Sequence, residues 1–432
     1  MFPVYDFVLF LYALLYLPYL LVTGRGYAGF SMRLGRFSPE VRRHIKQNAN
    51  IWVHAVSVGE VMLIDAILFR LRQLYPAYQF IVTVTTRTGY QLALERLKDK
   101  ALVVPSPVDF GFTAARFVEL IDPKLYIAVE TEIWPNLYRK LHLNATPTMV
   151  INGRISDASF GRYKLVRIFL KPILNYIRLW CMQTRADADR IIKLGAEPSC
   201  VCVTGNIKFD ELPKPADASV WQLGQGLSWW VAGSTHPGEE EMVISVYSKL
   251  VKFYPRWRLI IVPRHIERTP QIMELIVRRG LKAVKFKEVA SSAPPSRIGL
   301  SLNDGKAVVP SDTVVVVDTI GQLRSLYSLA SLVFVGKSLC VGGGQNVIEP
   351  ASYGKAVIIG PLVQNFRDIV ACFKEHDAIV QVEGKEAFEK AVLALCADED
   401  RRRMLGAAAK EVIAANQGAT QRSLERLRTL LK

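Results

Sequence analysis

At 432 residues the chain is too long for one ordinary core, and with half its residues hydrophobic it is not a disordered chain; two domains are expected. Lys and Arg total 55 against 39 Asp and Glu, a formal net charge of +16 that suits nucleic acid, anionic lipid or phosphorylated small molecules. No basic block is interleaved with aromatics and no zinc-finger spacing occurs, which argues against nucleic acid.

Residues 1–22 carry a single charge, Asp6, and Phe7–Val22 is an apolar run interrupted by Pro18. The run is just short of the ~20 residues a spanning helix needs. It has neither the positive n-region nor the cleavage site of a signal peptide. Arg25, Arg33, Arg36, Arg42, Arg43 and Lys46 follow it. That is the positive-inside arrangement, so an N-terminal membrane anchor with a cytoplasmic body is expected.

Strand-like runs then alternate with helical patterns: Ile51–Val56, Phe80–Thr85, Leu102–Pro105, Leu125–Val129, Thr148–Ile151, Trp180–Gln183 and Val201–Thr204. Amphipathic stretches such as Val61–Leu74 and Val166–Ile177 lie between them. Continuous apolar strands point to a parallel sheet covered on both faces. Glu211–Gly226, with Pro213 and Pro215, reads as a linker. The pattern restarts at Trp229–Ala232, Leu259–Val262, Val314–Val317, Leu332–Val335 and Val357–Ile359, with Lys285–Asp312 partly irregular. The expected organisation is residues 1–45 as anchor and basic flank, 46–210 as a first domain, 211–226 as linker, and 227–432 as a second domain with terminal helices. Both domains are expected to be Rossmann-like and doubly wound, with a ligand cleft between them at the carboxyl ends of the strands.

The chemistry-bearing residues fall at those ends. Glu60, in Trp52–Glu60, sits where a strand turns into a helix; it reads either as a first-turn acid favoured by the helix dipole or as a general base. As an ordinary carboxylate it would be ionised at neutral pH. Glu130-Thr131-Glu132-Ile133-Trp134-Pro135-Asn136 ends another strand, and its two acids face a cleft together or lie together on the surface. A carboxylate there would stabilise an oxocarbenium-like transition state. Lys208, in Gly205–Asp210, reads as the balance for a leaving phosphate or as a surface lysine.

In the second half, Ser234 and Thr235 cap a helix whose first turn holds Glu239 and Glu240. Arg264, after Pro263, is placed to grip a phosphate, and Asp318–Leu323 follows a further strand. Gly342–Ala351 opens a helix. Its three glycines let a backbone approach a ligand, and the helix start favours an anion. Asn346 and Glu349 are three apart, hence on one helix face, with Glu349 suited to a sugar or ribose hydroxyl. The strings Asp187-Ala188-Asp189 and Asp398-Glu399-Asp400 read as helix-opening acids rather than metal grips. The histidines lack metal-ligand spacing, no Walker A sequence occurs, and no G-x-G-x-x-G opens the first βα unit. No metal and no cofactor are expected. The six cysteines form no C-x-x-C pair and read as buried thiols of a reducing compartment.

Together Ser57–Glu60, Glu130–Asn136, Gly205–Asp210, Gly233–Glu240, Pro263–His265 and Gly342–Ala351 resemble, in order and over nearly the whole chain, the bacterial 3-deoxy-D-manno-octulosonic acid (Kdo) transferase family. The resemblance implies a GT-B glycosyltransferase of lipopolysaccharide biosynthesis at the bacterial inner membrane. Its first domain would take the lipid A precursor (lipid IVA) and its second the donor CMP-Kdo. The family's base matches Glu60, and its transition-state residues match Glu130 and Lys208. Its CMP contacts match Pro263 and Arg264, then Ile320, Gly321 and Gln322, then Asn346, Val347, Ile348 and Glu349. Ile320 and Gln322 replace the usual Met and Glu, and Gln345 stands where a histidine is common, so backbone contacts are what carry over there. The implied reaction is metal-free and inverting, and the basic surface would face inner-membrane anionic lipids. Two rival readings are a nucleotide-sugar 2-epimerase of the same architecture and a non-catalytic glycolipid-binding protein.

Overall fold

The structure is a computed structural model, and it describes residues 2–22, 29–211, 226–290, 301–303 and 306–431. The chain forms two units, one of Met1–Glu211 with Asn416–Lys432 and one of Leu212–Ala415.

The first unit is built on seven parallel strands: β1 (Asn50–Ala55), β2 (Gln79–Val84), β3 (Leu102–Pro105), β4 (Pro123–Val129), β5 (Thr148–Gly153), β6 (Leu179–Met182) and β7 (Val201–Val203). Their order is β3-β2-β1-β4-β5-β6-β7, so the winding reverses between β1 and β4. Successive residues of β1 serve opposite faces. Trp52 packs in a cluster with Phe117, Tyr126 and Trp180, while Ile51, Val53 and Ala55 pack in another with Ile64, Leu68 and Ile127. A strand buried on both faces needs apolar residues throughout, which is why these runs are continuous rather than alternating. The helix Val58–Leu74 buries Val61, Ile64, Leu68 and Leu71, one stripe at helical spacing. The amphipathic stretch read over Val166–Ile177 holds one helix, Arg167–Leu174; a separate helix, Asp157–Leu165, ends just before Val166, whose backbone is non-helical.

The expected N-terminal anchor is corrected. Among the described residues no helix is long and apolar enough to cross a membrane, and the localisation built on such an anchor falls with it. The helix Phe2–Val22 instead begins against the first unit. Phe2 packs against the cluster of Trp52 and Phe117 and lies under the Arg139 guanidinium, 4.5 Å from the ring centre. Tyr5 donates to Asp109 Oδ2 at 3.1 Å, and Asp6 accepts from Gly111 N and Asn136 Nδ2. A carboxylate with protein donors of its own belongs to the fold of the domain.

A second correction concerns the C-terminus, expected to stay with the second domain. The helix Ala419–Leu427 packs Ala419, Leu424 and Leu427 into the first unit's cluster with Leu71, Ile127 and Ile207. Asp210 holds its start: Oδ1 accepts from Gly418 N and Oδ2 from Thr420 N, each at 2.6 Å. No residue pattern within the helix could announce a cap that lies 208 residues upstream.

The second unit holds β8 (Ser228–Thr235), β9 (Trp257–Pro263), β10 (Lys282–Lys285), β11 (Ser301–Asn303), β12 (Lys306–Val308), β13 (Thr313–Val316), β14 (Leu332–Val335), β15 (Ala356–Ile359) and β16 (Val380–Gln381). Seven of them form a parallel sheet in the order β10-β13-β9-β8-β14-β15-β16, reversing between β8 and β14. Trp230, Ala232, Leu259, Ile261 and Phe334 pack one face against Tyr247 and Phe388. The two edge strands, β10 and β16, were not read from the sequence because they are short and polar, as edges need to be. In the stretch expected to be irregular, β11 and β12 form an antiparallel pair. The expected linker lies, from 212 to 225, outside the described residues.

Candidate active site

In the first unit the candidate residues gather at the carboxyl ends of β1 and β4, where the sheet order reverses, the position where open α/β sheets bind ligands. Ser57 stands before the helix Val58–Leu74 and Glu60 lies in its first turn. The Glu60 carboxylate turns back on the chain, accepting from Val56 N at 2.6 Å and from Ser57 Oγ at 2.9 Å. Both donors precede the helix, so the side chain ties its first turn to the end of β1 without satisfying an N–H of that turn. Its surroundings differ from the expectation of an ordinary carboxylate. Glu60 is 5% exposed. Burial pushes its pKa up to about 7 against the hydrogen bonds from Val56 and Ser57, and the negative charges of Glu130 and Glu132 add to the rise. A carboxylate poised there can both receive and release a proton near neutrality.

Glu130 follows β4 in a left-handed conformation, φ 61°, with its N–H donating to Ile151 O. A non-glycine residue held there marks a constrained position. Its carboxylate faces Lys208, Nζ to Oε1 at 3.5 Å. Burial, then the charge of Glu130, raises Glu132 to about 7 as well. Lys208 reaches this group from a short 3₁₀ turn, Ile207–Phe209. Ile207 N donates to Asn152 Oδ1, Lys208 N to Asn206 Oδ1, and Asn206 Nδ2 to Gln183 Oε1. The first unit thus brings Glu60, Glu130, Glu132 and Lys208 together.

Beneath them, His54 is fully buried, hydrogen-bonded through Nδ1 to Thr83 Oγ1, with burial and Arg33 driving its pKa down to about 3. It is a neutral core imidazole packed edge-on to Trp134.

The residues expected to meet the donor lie in the second unit. Pro263 ends β9, and Arg264 is exposed with its N–H donating to Thr235 O. Ile320 is 83% exposed. Gly321 has φ 93°, and Gln322 precedes the helix Leu323–Leu329. The segment at 346–349 departs from expectation. The helix spans only Ile348–Ser352, so Asn346 precedes it and accepts from Ile348 N at 3.0 Å, off the face that carries Glu349. Val347 and Ile348 are buried. Glu349, expected to meet a hydroxyl, is paired with Arg324 at 3.2 Å.

Sequence reasoning missed Glu239. It reads as an ordinary first-turn acid, but it is fully buried and holds the loop after β14. Oε1 accepts from Ser338 N and Leu339 N, and Oε2 from Lys337 N and His236 N, all at 2.8–3.0 Å. That loop starts with Lys337 at φ 58° and runs to Gly343 and Gly344, at φ 121° and 72°. A Cβ on Gly344 would sit 3.0 Å from Val363 Cα, so glycine is required there for close packing as well as for φ.

The D-x-D strings serve the fold. Asp187 is buried and accepts from Ile155 N and Thr184 Oγ1, Asp189 pairs with Arg185, and Asp398 accepts from Arg401 N. Among the described residues no group of three or more His, Cys, Asp and Glu is arranged to hold a metal. The cysteines are not uniformly buried as expected: Cys181 and Cys396 are, while Cys340 is exposed and Cys200, Cys202 and Cys372 are intermediate.

Known proteins resemble this chain at two levels. A family model for "3-Deoxy-D-manno-octulosonic-acid transferase (kdotransferase)" matches residues 28–211. A 3-deoxy-D-manno-octulosonic acid transferase of Haemophilus influenzae is 33% identical over 392 residues, covering 88% of this chain and 87% of that protein. A bifunctional glycosyltransferase/methyltransferase of Fusobacterium nucleatum is 35% identical over 81% of this chain, which spans about half, 53%, of that longer protein. Among solved structures, the UDP-GlcNAc 2-epimerase of Neisseria meningitidis matches with a TM-score of 0.59 at 12% identity, over 88% of this chain and 100% of that one. A glycosyltransferase of Rickettsia africae gives 0.56 at 10%, over 89% and 99%. At that identity the solved structures show the α/β GT-B fold alone, which transferases and epimerases share. The sequence relatives discriminate where the fold does not: the chain belongs to the 3-deoxy-D-manno-octulosonic acid transferase family of glycosyltransferases.

Proposed function

We propose that the protein transfers Kdo from CMP-Kdo to a hydroxyl of the lipid A precursor lipid IVA, with inversion and without a metal, Glu60 acting as general base. The observation that carries this reading is a buried Glu60 held near neutrality beside Glu130, Glu132 and Lys208. Glu60 takes the proton of the acceptor hydroxyl. The acceptor oxygen bonds to the anomeric carbon of Kdo as the bond from that carbon to the phosphate oxygen breaks, and the electron pair leaves with CMP. Glu130 lies where it would steady the positive charge that develops on the sugar ring, with Lys208 balancing the group. In the second unit, Pro263 and Arg264, the backbone at Ile320–Gln322 and the segment Asn346–Glu349 would hold CMP. The exposed guanidinium of Arg264 suits its single phosphate.

A lipid acceptor and anionic lipids fit the surface of the first unit. Leu165, Ile168 and Phe169 are large exposed apolar side chains, flanked by Arg162, Lys164, Arg167 and Lys171. Apolar residues rimmed by cations suit an anionic lipid surface.

The test is direct. Purified protein is incubated with CMP-Kdo and detergent-dispersed tetraacyl lipid A precursor, and the products are weighed by mass spectrometry. A glycolipid heavier by one or more Kdo units is expected, at the same rate with EDTA present. Intact CMP-Kdo beside folded protein would overturn the reading, and a rate abolished by EDTA and restored by a divalent cation would overturn its metal-free part. Replacing Lys208 with Met is expected to slow transfer at pH 7 by about tenfold, the scale of one charge-assisted contact. It should also move the acid limb of the pH–rate profile upward, because an unbalanced Glu130 charge makes Glu60 harder to ionise. A limb that stays in place, or moves down, would remove Lys208 from the group.

A further inference from the structure

Two helices of the first unit start without a cap of their own. The residues before them, Phe110 for Gly111–Ile121 and Trp134 for Pro135–Leu143, carry no side-chain acceptor for the orphan N–H groups. Carboxylates from elsewhere fill the role. Asp109 accepts from Asn136 N at 3.1 Å and from Leu137 N at 2.8 Å, capping the second helix. Asp6 Oδ1 accepts from Gly111 N at 3.2 Å, capping the first, and from Asn136 Nδ2 at 2.7 Å. Asn136 Nδ2 also donates to Asp109 O, and Tyr5 donates to Asp109 Oδ2. The N-terminal helix is therefore bonded through Tyr5 and Asp6 to both helix starts.

The second of those starts ends the segment that carries the candidate acids. Glu130 to Trp134 spans the gap between β4 and the helix Pro135–Leu143. One end of the segment is fixed by the sheet, with Glu130 N on Ile151 O. The other is fixed by Asn136, which is 2% exposed and takes its partners from Asp109 and Asp6. The protein-facing residues of the N-terminal helix, Phe2, Tyr5, Asp6, Leu9 and Ala13, recur at three- and four-residue spacing, so this is a seated helix face and not one stray contact.

We propose that Asp6 and Tyr5 are positioning residues for the segment Glu130–Asn136, making the N-terminal helix a working part of the active domain. This rests on the reading that Glu130 serves transfer. The lone charge in the first 22 residues serves as acceptor for one helix start, at Gly111, and for the side-chain amide of Asn136 at the other.

The experiment compares wild type, Asp6→Ala, Asp6→Asn and Tyr5→Phe with CMP-Kdo and detergent-dispersed acceptor, resolving kcat from the donor KM. Asp6→Ala is expected to lower kcat about tenfold with donor KM within about twofold, the scale of one or two lost hydrogen bonds. Asp6→Asn keeps an acceptor oxygen and is expected to restore most of the rate. A folded Asp6→Ala protein with wild-type kcat would overturn the proposal, as would Asp6→Asn being no better than Asp6→Ala. If Asp6→Ala does not fold, Tyr5→Phe decides: a kcat lower by about threefold to fivefold supports the proposal and an unchanged kcat overturns it. Should wild type itself transfer nothing, the transferase reading fails separately. Amide hydrogen exchange then decides, with faster exchange at Gly111, Asn136 and Leu137 in Asp6→Ala expected and unchanged exchange overturning.

Discussion

Glu60→Gln is expected to lower kcat by about 10²–10⁴-fold, the range a positioned general base supplies, while CMP affinity by calorimetry stays as in wild type. The substitution is nearly isosteric. Its amide oxygen can still accept from Val56 N, and its NH₂ can donate to Ser57 Oγ, so both local contacts survive and a loss of rate reports on the base. A pH–rate profile makes the same point from wild type. The base works deprotonated, and burial holds Glu60 at about 7, so kcat/KM should be low in acid and rise through pH about 7. Glu132 titrates in the same range, so the limb belongs to a coupled pair. Glu132→Gln removes a negative neighbour that raises Glu60, and it is expected to move the limb to lower pH. A profile centred near the ordinary value of ~4.3 would mean that Glu60 is not the titrating base. Retention of wild-type kcat by Glu60→Gln would leave the residue a tie between β1 and the helix that follows it.

The largest effect on stability is expected at Glu239. Its carboxylate is the acceptor for four backbone N–H groups, those of His236, Lys337, Ser338 and Leu339. Glu239→Ala strands all of them in a site where the glutamate itself is fully buried. An unsatisfied buried donor costs about 1–3 kcal/mol, and partial relaxation and entry of water recover some of that, so a net loss of ~4 kcal/mol is expected. Urea denaturation of the variant measures it. CMP binding should fall with it, because Lys337 starts the loop that leads to Gly344 and Asn346, and its left-handed backbone needs the carboxylate to hold it. Glu239→Gln retains one acceptor oxygen for two donor pairs and should fall between the two. Wild-type stability in Glu239→Ala would show that the loop is held by Gly343 and Gly344 packing alone.

The helix ends of this protein show how far local pattern reaches. Apolar runs of strand length placed β1, β4, β8, β9 and β14 to within a few residues, because a strand buried on both faces must be apolar along its whole length wherever it lies in the sheet. The same rule left β10 and β16 unread, since short edge strands keep polar residues. Glu60 and Glu130 were singled out because an acid directly after such a run has few places to go but the end of the sheet.

What each acid does there was decided elsewhere in the chain. Glu60 has its shifted affinity for protons from burial and from Glu130 and Glu132, some seventy residues away. Asn346 and Glu349 are three apart, yet the helix starts between them, and Arg324 takes the carboxylate that the spacing alone assigned to a ligand. The N-terminal run was read as an anchor from its hydropathy. Asp6, the one residue that breaks the run, is held by partners 105 and 130 residues away, which no window on the sequence contains. By itself the sequence determined the α/β class, the parallel strands and the family, because apolar periodicity and motif order are carried locally along the chain. Only the tertiary structure decided which carboxylates are caps, which are paired and which are raised toward neutrality, because burial, ion pairing and the satisfaction of helix ends depend on residues that meet across the fold.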